Sequence, residues 1–169
     1  MTKSTIIRTR RGVEIMIDAG SLPIVEGRSV WLLNKGGYPL IWMDGKRQLL
    51  HRVITKAPNG MEVDHINGNV LDCRLSNLRV CSRGENLRNR GAYKNNSSGR
   101  KGVSWSPWAN KWRAEIRLDR KGIHIGYFTC LEAAADAYDK AALELHGDFA
   151  RTNKQALGML PLFDGPDDD

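Results

Sequence analysis

A chain of 169 residues with 41% hydrophobic and 27% charged side chains can build one modest core or two small ones, which argues against wholesale disorder. Its net charge of +7 is unevenly spread, with 11 basic side chains against 3 acidic in residues 83–121, so a polyanion is the natural partner. Three cysteines without a Cys-x-x-Cys pair and no long apolar span argue against a disulfide scaffold, a zinc knuckle and a membrane span, and lead us to expect a reduced, soluble, cytoplasmic protein.

Residues 1–50 alternate short β-type runs with turn signals. Ile6 to Ile17 is broken at Arg11-Gly12; Val30 to Leu33 and Tyr38 to Met43 flank Asn34-Lys35-Gly36-Gly37; Asp44-Gly45 marks a tight hairpin. The pattern predicts a β-meander with no chemistry of its own. Leu49 to Ile54 reads as a strand end or a short helix, halted before Pro58-Asn59-Gly60.

In residues 51–92 the texture changes. Met61 to Ile66 is a short strand, Asn67-Gly68-Asn69 a loop, and Asn77 to Cys81 a second strand. Ser82 followed by Glu85 is a capping box, which starts a helix and places Asn86 in or just beyond its first turn. Cys73 and Cys81 read as small buried thiols.

Residues 93–99 are polar and form the expected linker, part of the apolar-poor stretch Gly91 to Gly99. In residues 100–154, Lys101 to Trp105, Lys111 to Leu118 and Ile123 to Phe128 predict three strands, the middle one alternating Trp112, Ala114, Ile116 and Leu118 with Arg113, Glu115 and Arg117. Cys130 to Leu145 is a helix whose stripe of Leu131, Ala134, Ala135, Tyr138, Ala141, Ala142 and Leu145 can cover the apolar sheet face, with Asp136, Asp139 and Glu144 off that stripe. Because residues 131–148 carry five acids and one lysine, the sheet rather than the helix should face a phosphate backbone. Residues 155–169, with four acids and no base, are expected to be a disordered tail.

Asp64 and His65 adjoin, Asn77 follows His65 by twelve residues, and Asn86 follows by nine more. Singly, these read as turn residues and a core histidine. Together they suit phosphodiester hydrolysis: a carboxylate and an amide oxygen are hard ligands for magnesium or manganese, and a neutral imidazole can deprotonate water. The segment Val63-Asp64-His65-Ile66-Asn67-Gly68-Asn69, then Asn77-Leu78-Arg79 and Glu85-Asn86, resembles the HNH endonucleases, in particular the phage and intron-encoded homing enzymes, over about residues 49–90. The resemblance implies a ββα-metal unit with one divalent cation, Mg2+ first and Mn2+ second. It makes His65 the general base, Asp64 and Asn86 the metal ligands, and Asn77 the residue that holds the loop and orients the histidine. The paired cysteines of the family's zinc-bearing members are absent, so no structural zinc is expected. His51 and His146 read as structural. Arg52, Arg74 and Arg79 can bind phosphate or brace the hairpin, and Arg88 and Arg90 are further candidate phosphate contacts. Neighbours on a regular strand face opposite ways, so for Asp64 and His65 to serve one centre the backbone must leave strand geometry near Gly68.

Residues 96–153 resemble the AP2 DNA-binding domain through Lys101-Gly102-Val103, Pro107-Trp108, Lys111-Trp112, Ala114-Glu115-Ile116-Arg117, Ile125-Gly126-Tyr127-Phe128 and Ala133 to Ala142. This implies a three-stranded antiparallel sheet in the major groove with one helix behind it. Lys101, Trp108, Lys111, Glu115 and Arg117 match the family's DNA-facing positions, Arg113 shares their face, and Arg100, Lys121 and His124 are further candidates. Ser104, Ser106 and His124 depart from the plant pattern, so the plant target does not transfer; Trp112 reads as core and Trp105 stays open.

The whole is an α+β chain: a β-meander, a nuclease module and an AP2-like domain. The expected activity is sequence-targeted, divalent-metal-dependent cleavage of double-stranded DNA, by nick or double-strand break, by a monomer or DNA-induced dimer, in a bacterial host's cytoplasm if the gene is phage-borne. The alternative is a non-cleaving DNA-binding regulator that keeps the HNH fold as a scaffold. Duplex RNA fits less well, because its deep, narrow major groove excludes a sheet.

Overall fold

The computed structural model describes residues 3–33, 36–93 and 95–158 and folds them as an α+β chain of several small antiparallel sheets and few helices. Two units divide it, Met1–Asn86 and Leu87–Asp169, each around its own core.

In the first unit, β1 (Ser4–Arg8) and β2 (Glu14–Asp18) form a hairpin across Arg11-Gly12. The expected meander is interrupted after β2: Pro23, at the start of a helical turn, favours helix entry over strand pairing, and α1 (Leu22–Val25) separates the hairpin from a second sheet. That sheet is β3 (Val30–Leu32), β4 (Pro39–Met43) and β5 (Lys46–Leu49), in that order. Asp44 and Gly45 both take positive φ, 51° and 73°, as a two-residue hairpin turn with matching twist requires.

The ambiguous segment after β5 is helical, α2 (Leu50–Thr55), and ends at Lys56 in the left-handed region. Arg52 then donates to the carbonyls of Ala57, Pro58 and Met61, fastening the loop that leads to β6 (Glu62–His65). β6 pairs antiparallel with β7 (Leu78–Cys81), and α3 (Arg83–Arg88) follows. Ile15, Ile17, Val30, Ile41, Leu50, Ile54, Val63 and Leu78 close one core beneath these elements, so the N-terminal strands and the β6–β7 hairpin share a foundation.

In the second unit, β8 (Val103–Ser106), β9 (Lys111–Leu118) and β10 (Lys121–Phe128) form a sheet in the order β10-β9-β8, covered by α4 (Leu131–His146). Val103, Ala114 and Ile116 meet Ala134, Ala135, Tyr138 and Ala142, with Trp112 packed at the margin. Gly102 is required where it stands: its φ is +72°, and a Cβ would lie 2.1 Å from the Tyr138 ring and 2.7 Å from the Glu115 carbonyl oxygen.

Two expectations for this unit are corrected. Asp139, placed off the apolar stripe, is buried, and its carboxylate accepts from Asn153 N at 2.6 Å, Asn153 Nδ2 at 3.0 Å and Lys154 N at 3.1 Å. It thereby anchors α5 (Asn153–Leu157), capped by a Thr152–Gln155 box, so residues 155–157 are helical rather than part of a disordered tail. The expectation for the tail from Met159 onward lies outside the described residues. Within 91–99, Asn96 and Ser98 hydrogen-bond to one another and to the Arg100 carbonyl, and Ser98 Oγ donates to Val103 O at 2.7 Å, fastening the approach to β8.

Candidate active site and nucleic-acid interface

The β6–β7 hairpin sets the site. Glu62 lies opposite Cys81, Val63 opposite Val80, Asp64 opposite Arg79 and His65 opposite Leu78. Strand alternation therefore sends Glu62, Asp64 and Arg79 to one side and Val63, His65 and Leu78 to the other. Pairing stays in register through His65, and the left-handed turn at Gly68, φ +77°, comes three residues later. The departure from strand geometry expected near Gly68 is thus present, but it leaves Asp64 and His65 on opposite sides of the strand.

On the first side, the Asp64 carboxylate is buried and its Oδ2 accepts from Arg79 Nε at 2.8 Å and from an Arg79 terminal nitrogen at 2.6 Å. The Ser82–Glu85 capping box forms, with Ser82 N donating to Glu85 Oε2 at 2.8 Å and Glu85 N to Ser82 Oγ at 3.3 Å. It places Asn86 in the first turn of α3, where Asn86 Nδ2 donates to Glu62 Oε2 at 2.6 Å. Asn86 is thereby joined to the side of β6 that also carries Asp64. Glu62 escaped the sequence reading, although its two-residue spacing from Asp64 on a predicted strand was a usable signal.

On the other side, the His65 ring lies 5.0 Å from the His51 ring, edge-on, and 6.0 Å from Tyr38, with Tyr38 and His51 5.5 Å apart. Burial lowers the His65 pKa against the pull of Asp64 and Asp72, so the imidazole is neutral at neutral pH. Burial, with help from His65 and Arg52, pushes His51 down to about 3. His51 Nδ1 is buried without a hydrogen-bond partner among the described residues. His51, read from sequence as structural, thus packs directly against the candidate base.

The loop between the strands is tied down from both ends. Asn77 Oδ1 accepts from Asn67 N at 2.9 Å, Asn77 Nδ2 donates to Asp72 O at 2.8 Å, and Ile66 N donates to Asn77 O at 2.8 Å. Fully buried Asp72 takes Arg74 in a two-pronged ion pair and accepts from Asn67 Nδ2. Burial alone would raise the Asp72 carboxyl, yet Arg74 and Asn67 hold it below the usual carboxylate range. Leu75 N donates to Asp18 Oδ2, and Met16 and Cys73 exchange backbone bonds with this loop and β2, so the N-terminal hairpin braces the site. Cys73 and Cys81 are free, buried thiols whose pKa values burial pushes up to about 12 and about 11, which makes them poor nucleophiles.

Donor chemistry on the Asp64 side suits a hard divalent cation. The Asp64 carboxylate and the Asn86 amide carbonyl are oxygen ligands of the kind magnesium and manganese take, alongside water and phosphate oxygens, while the Glu62 carboxylate is engaged by Asn86 Nδ2. The described residues contain no cluster of three or more His, Cys, Asp or Glu side chains placed to hold a metal. Asn86 would therefore have to supply an oxygen beside Asp64.

In the second unit the exposed sheet face carries Lys111, Arg117 and His124, with Arg113 joined to Glu115 by an ion pair, whereas the candidate Lys121, exposed at the start of β10, pairs with Leu118 and so lies on the other face. Trp108 is 88% exposed and stands 6.4 Å from Tyr127, which in turn lies 4.7 Å from His124. A bulge between His124 and Gly126 shifts the register of β10 so that Tyr127 falls opposite Arg113. Regular alternation would have put Tyr127 on the other face, so Tyr127 joins the candidate interface through a bulge that Gly126 marks and that alternation alone misses. Trp105 is exposed and packs edge-on against Trp112. Other candidates stand in intramolecular contacts: Arg100 with Glu132, Arg88 with Asp119, Arg90 over the Tyr93 ring, and Lys101 Nζ on the Arg88 carbonyl. Burial, with Arg151 nearby, pushes Lys101 down to about 8. His146 Nε2 lies 3.0 Å from Arg117 O at the end of α4.

An HNH endonuclease family model matches residues 48–88, and an AP2 domain model matches residues 98–148. An uncharacterized HNH endonuclease of Acanthamoeba polyphaga mimivirus is 33% identical over 155 residues, covering 89% of this chain and 80% of the relative. Protein 3.8 of Escherichia phage T7 is 40% identical over 94 residues, 56% of this chain and 77% of that protein. An ethylene-responsive transcription factor of Arabidopsis thaliana is 50% identical over 58 residues, 31% of this chain and 36% of that protein. No solved structure matches. The chain belongs to the HNH endonuclease family and carries an AP2 domain after its nuclease module. Among the described residues no helix is long and apolar enough to cross a membrane.

Proposed function

We propose that this chain is a divalent-cation-dependent DNA endonuclease of the homing type, with β6, β7 and α3 as its ββα-metal unit and the AP2 domain as its targeting module. The observation that carries the reading is the docking of Asn86, through Glu62, onto the side of β6 that bears Asp64. Asp64 and Asn86 would hold the cation, Mg2+ or Mn2+, which when bound stabilises negative charge on the phosphate and the leaving oxygen. His65, neutral at working pH, takes the proton from the attacking water. His65 closes β6, so a phosphodiester laid across that end of the strand meets both sides of it. Asn77 holds the loop that follows.

The AP2 sheet supplies affinity for double-stranded DNA through Trp108, Lys111, Arg117, His124 and Tyr127, and the tether raises the concentration of the nuclease at its site. One centre per chain makes nicking the activity of a monomer; a dimer assembled on DNA would cut both strands. The test is incubation of supercoiled plasmid carrying the sequence around the gene with the protein in magnesium and in EDTA. Wild type nicks only in magnesium, and His65→Ala binds without cutting; cutting that persists in EDTA or in His65→Ala sinks the reading.

A second reading, a DNA-binding regulator that does not cleave, is favoured by one observation: Asp64 faces Arg79 while His65 faces His51 across the strand. Nicking by wild type and its loss in Asp64→Ala decide against that reading.

A further inference from the structure

An asparagine side chain has two ends of nearly equal shape, and only its oxygen can hold a cation. Nothing in Asn86 itself selects that end. Its backbone is fixed by the capping box, with Asn86 N donating to Ser82 O at 3.0 Å, but a fixed backbone leaves the amide free to turn over. Glu62 removes this freedom. An ionised carboxylate only accepts hydrogen bonds, so the end of Asn86 that it meets at 2.6 Å has to be the NH2, in a short charge-assisted bond. The carbonyl oxygen is then the end of the amide turned away from Glu62, and Asp64, two residues along the strand from Glu62, lies on the same side of the hairpin as Glu62.

From this we infer that Glu62 is a positioning residue of the metal centre: it locks the amide of Asn86 so that oxygen, not nitrogen, is offered to the ion. The inference rests on the cation site proposed above. The change Glu62→Gln would remove the lock, because a glutamine amide can meet either end of Asn86. Adding Asn86→Asp would remove the need for it, because a carboxylate offers oxygen at both ends while the introduced glutamine donates to one of them.

The test measures Mn2+ affinity of the full chain by titration calorimetry and electron paramagnetic resonance, without DNA. Wild type binds, Asp64→Ala does not, and Glu62→Gln binds about 10- to 100-fold more weakly, as losses of groups that orient ligands do. Adding Asn86→Asp to Glu62→Gln restores affinity toward wild type. In the metal-free protein, the Asn86 Nδ2 protons exchange slowly with solvent in wild type and rapidly in Glu62→Gln, with the melting temperature as the control for folding. Unchanged Mn2+ affinity in a folded Glu62→Gln protein overturns the role of Glu62 and leaves the cation site standing. Failure of wild type to bind Mn2+, or binding unaffected by Asp64→Ala, overturns both.

Discussion

At the scale of single residues, the centre is held by charges and rings that have left water. Arg79 and Asp64 are mostly buried, with 16% and 6% of their side chains exposed, so truncating Arg79 strands a carboxylate that its partner had compensated. Arg79→Ala should destabilise the first unit by about 3 kcal/mol. A cation binding beside Asp64 can replace the lost charge, so millimolar Mg2+ should raise the melting temperature of Arg79→Ala more than that of wild type. Equal shifts in scanning calorimetry would mean that the ion does not reach Asp64. His51 makes a prediction of opposite kind. Its folded pKa of about 3 lies below the ordinary 6.5, so the unfolded chain binds the proton first. The stability His51 contributes is full above pH 6.5 and is lost as pH falls toward 3, costing about 2 kcal/mol at pH 5. Denaturation midpoints at pH 7 and pH 5 should therefore converge in His51→Phe, apart from the share that belongs to His65. At this scale Asp64, His65, Asn77 and Asn86 could be singled out in the sequence because they carry the resemblance to the HNH endonucleases. Glu62, Tyr38 and the packing of His51 on His65 were less legible, because they depend on which side of a strand meets which helix.

Elements were legible where a local rule governs them and illegible where packing overrides it. Ser82 and Glu85 announce the start of α3 by side-chain chemistry alone, and Asp44-Gly45 announces a hairpin by backbone sterics. The bulge in β10 is marked only by Gly126, a glycine inside a strand, which apolar–polar alternation does not register, yet it decides which face Tyr127 joins. Asp139 likewise looks like one more solvated acid until α5 presents its backbone N–H groups. The capping box of α3 has a consequence beyond helix stability, since it sets where Asn86 stands. Ser82→Ala should cost about 1 kcal/mol in denaturant unfolding. It should also weaken Mn2+ binding, whereas Ser82→Thr keeps both near wild type. Loss of stability with unchanged Mn2+ affinity would show that Glu62 alone is enough to place Asn86.

For the whole molecule, the separation into two cores makes binding and cutting separable in experiment. The basic character of residues 83–121 implies that affinity for duplex DNA falls steeply with salt, because each neutralised phosphate releases counterions. Arg117 lies exposed on the AP2 sheet, and its removal discriminates two kinds of contact. If it reads a base edge, Arg117→Ala should cost about 1–3 kcal/mol and relax sequence preference; if it meets phosphate, binding should weaken evenly across sequences and the salt slope should fall by about one. In either case Arg117→Ala leaves the residues proposed for cleavage unaltered, so single-turnover cleavage at saturating enzyme should keep its wild-type rate while the concentration needed for half-saturation rises. His65→Ala should do the reverse, with wild-type affinity and salt slope and no product. A cleavage rate that falls at saturation in Arg117→Ala would mean that the AP2 face takes part in aligning the scissile phosphate and does not serve as an anchor alone.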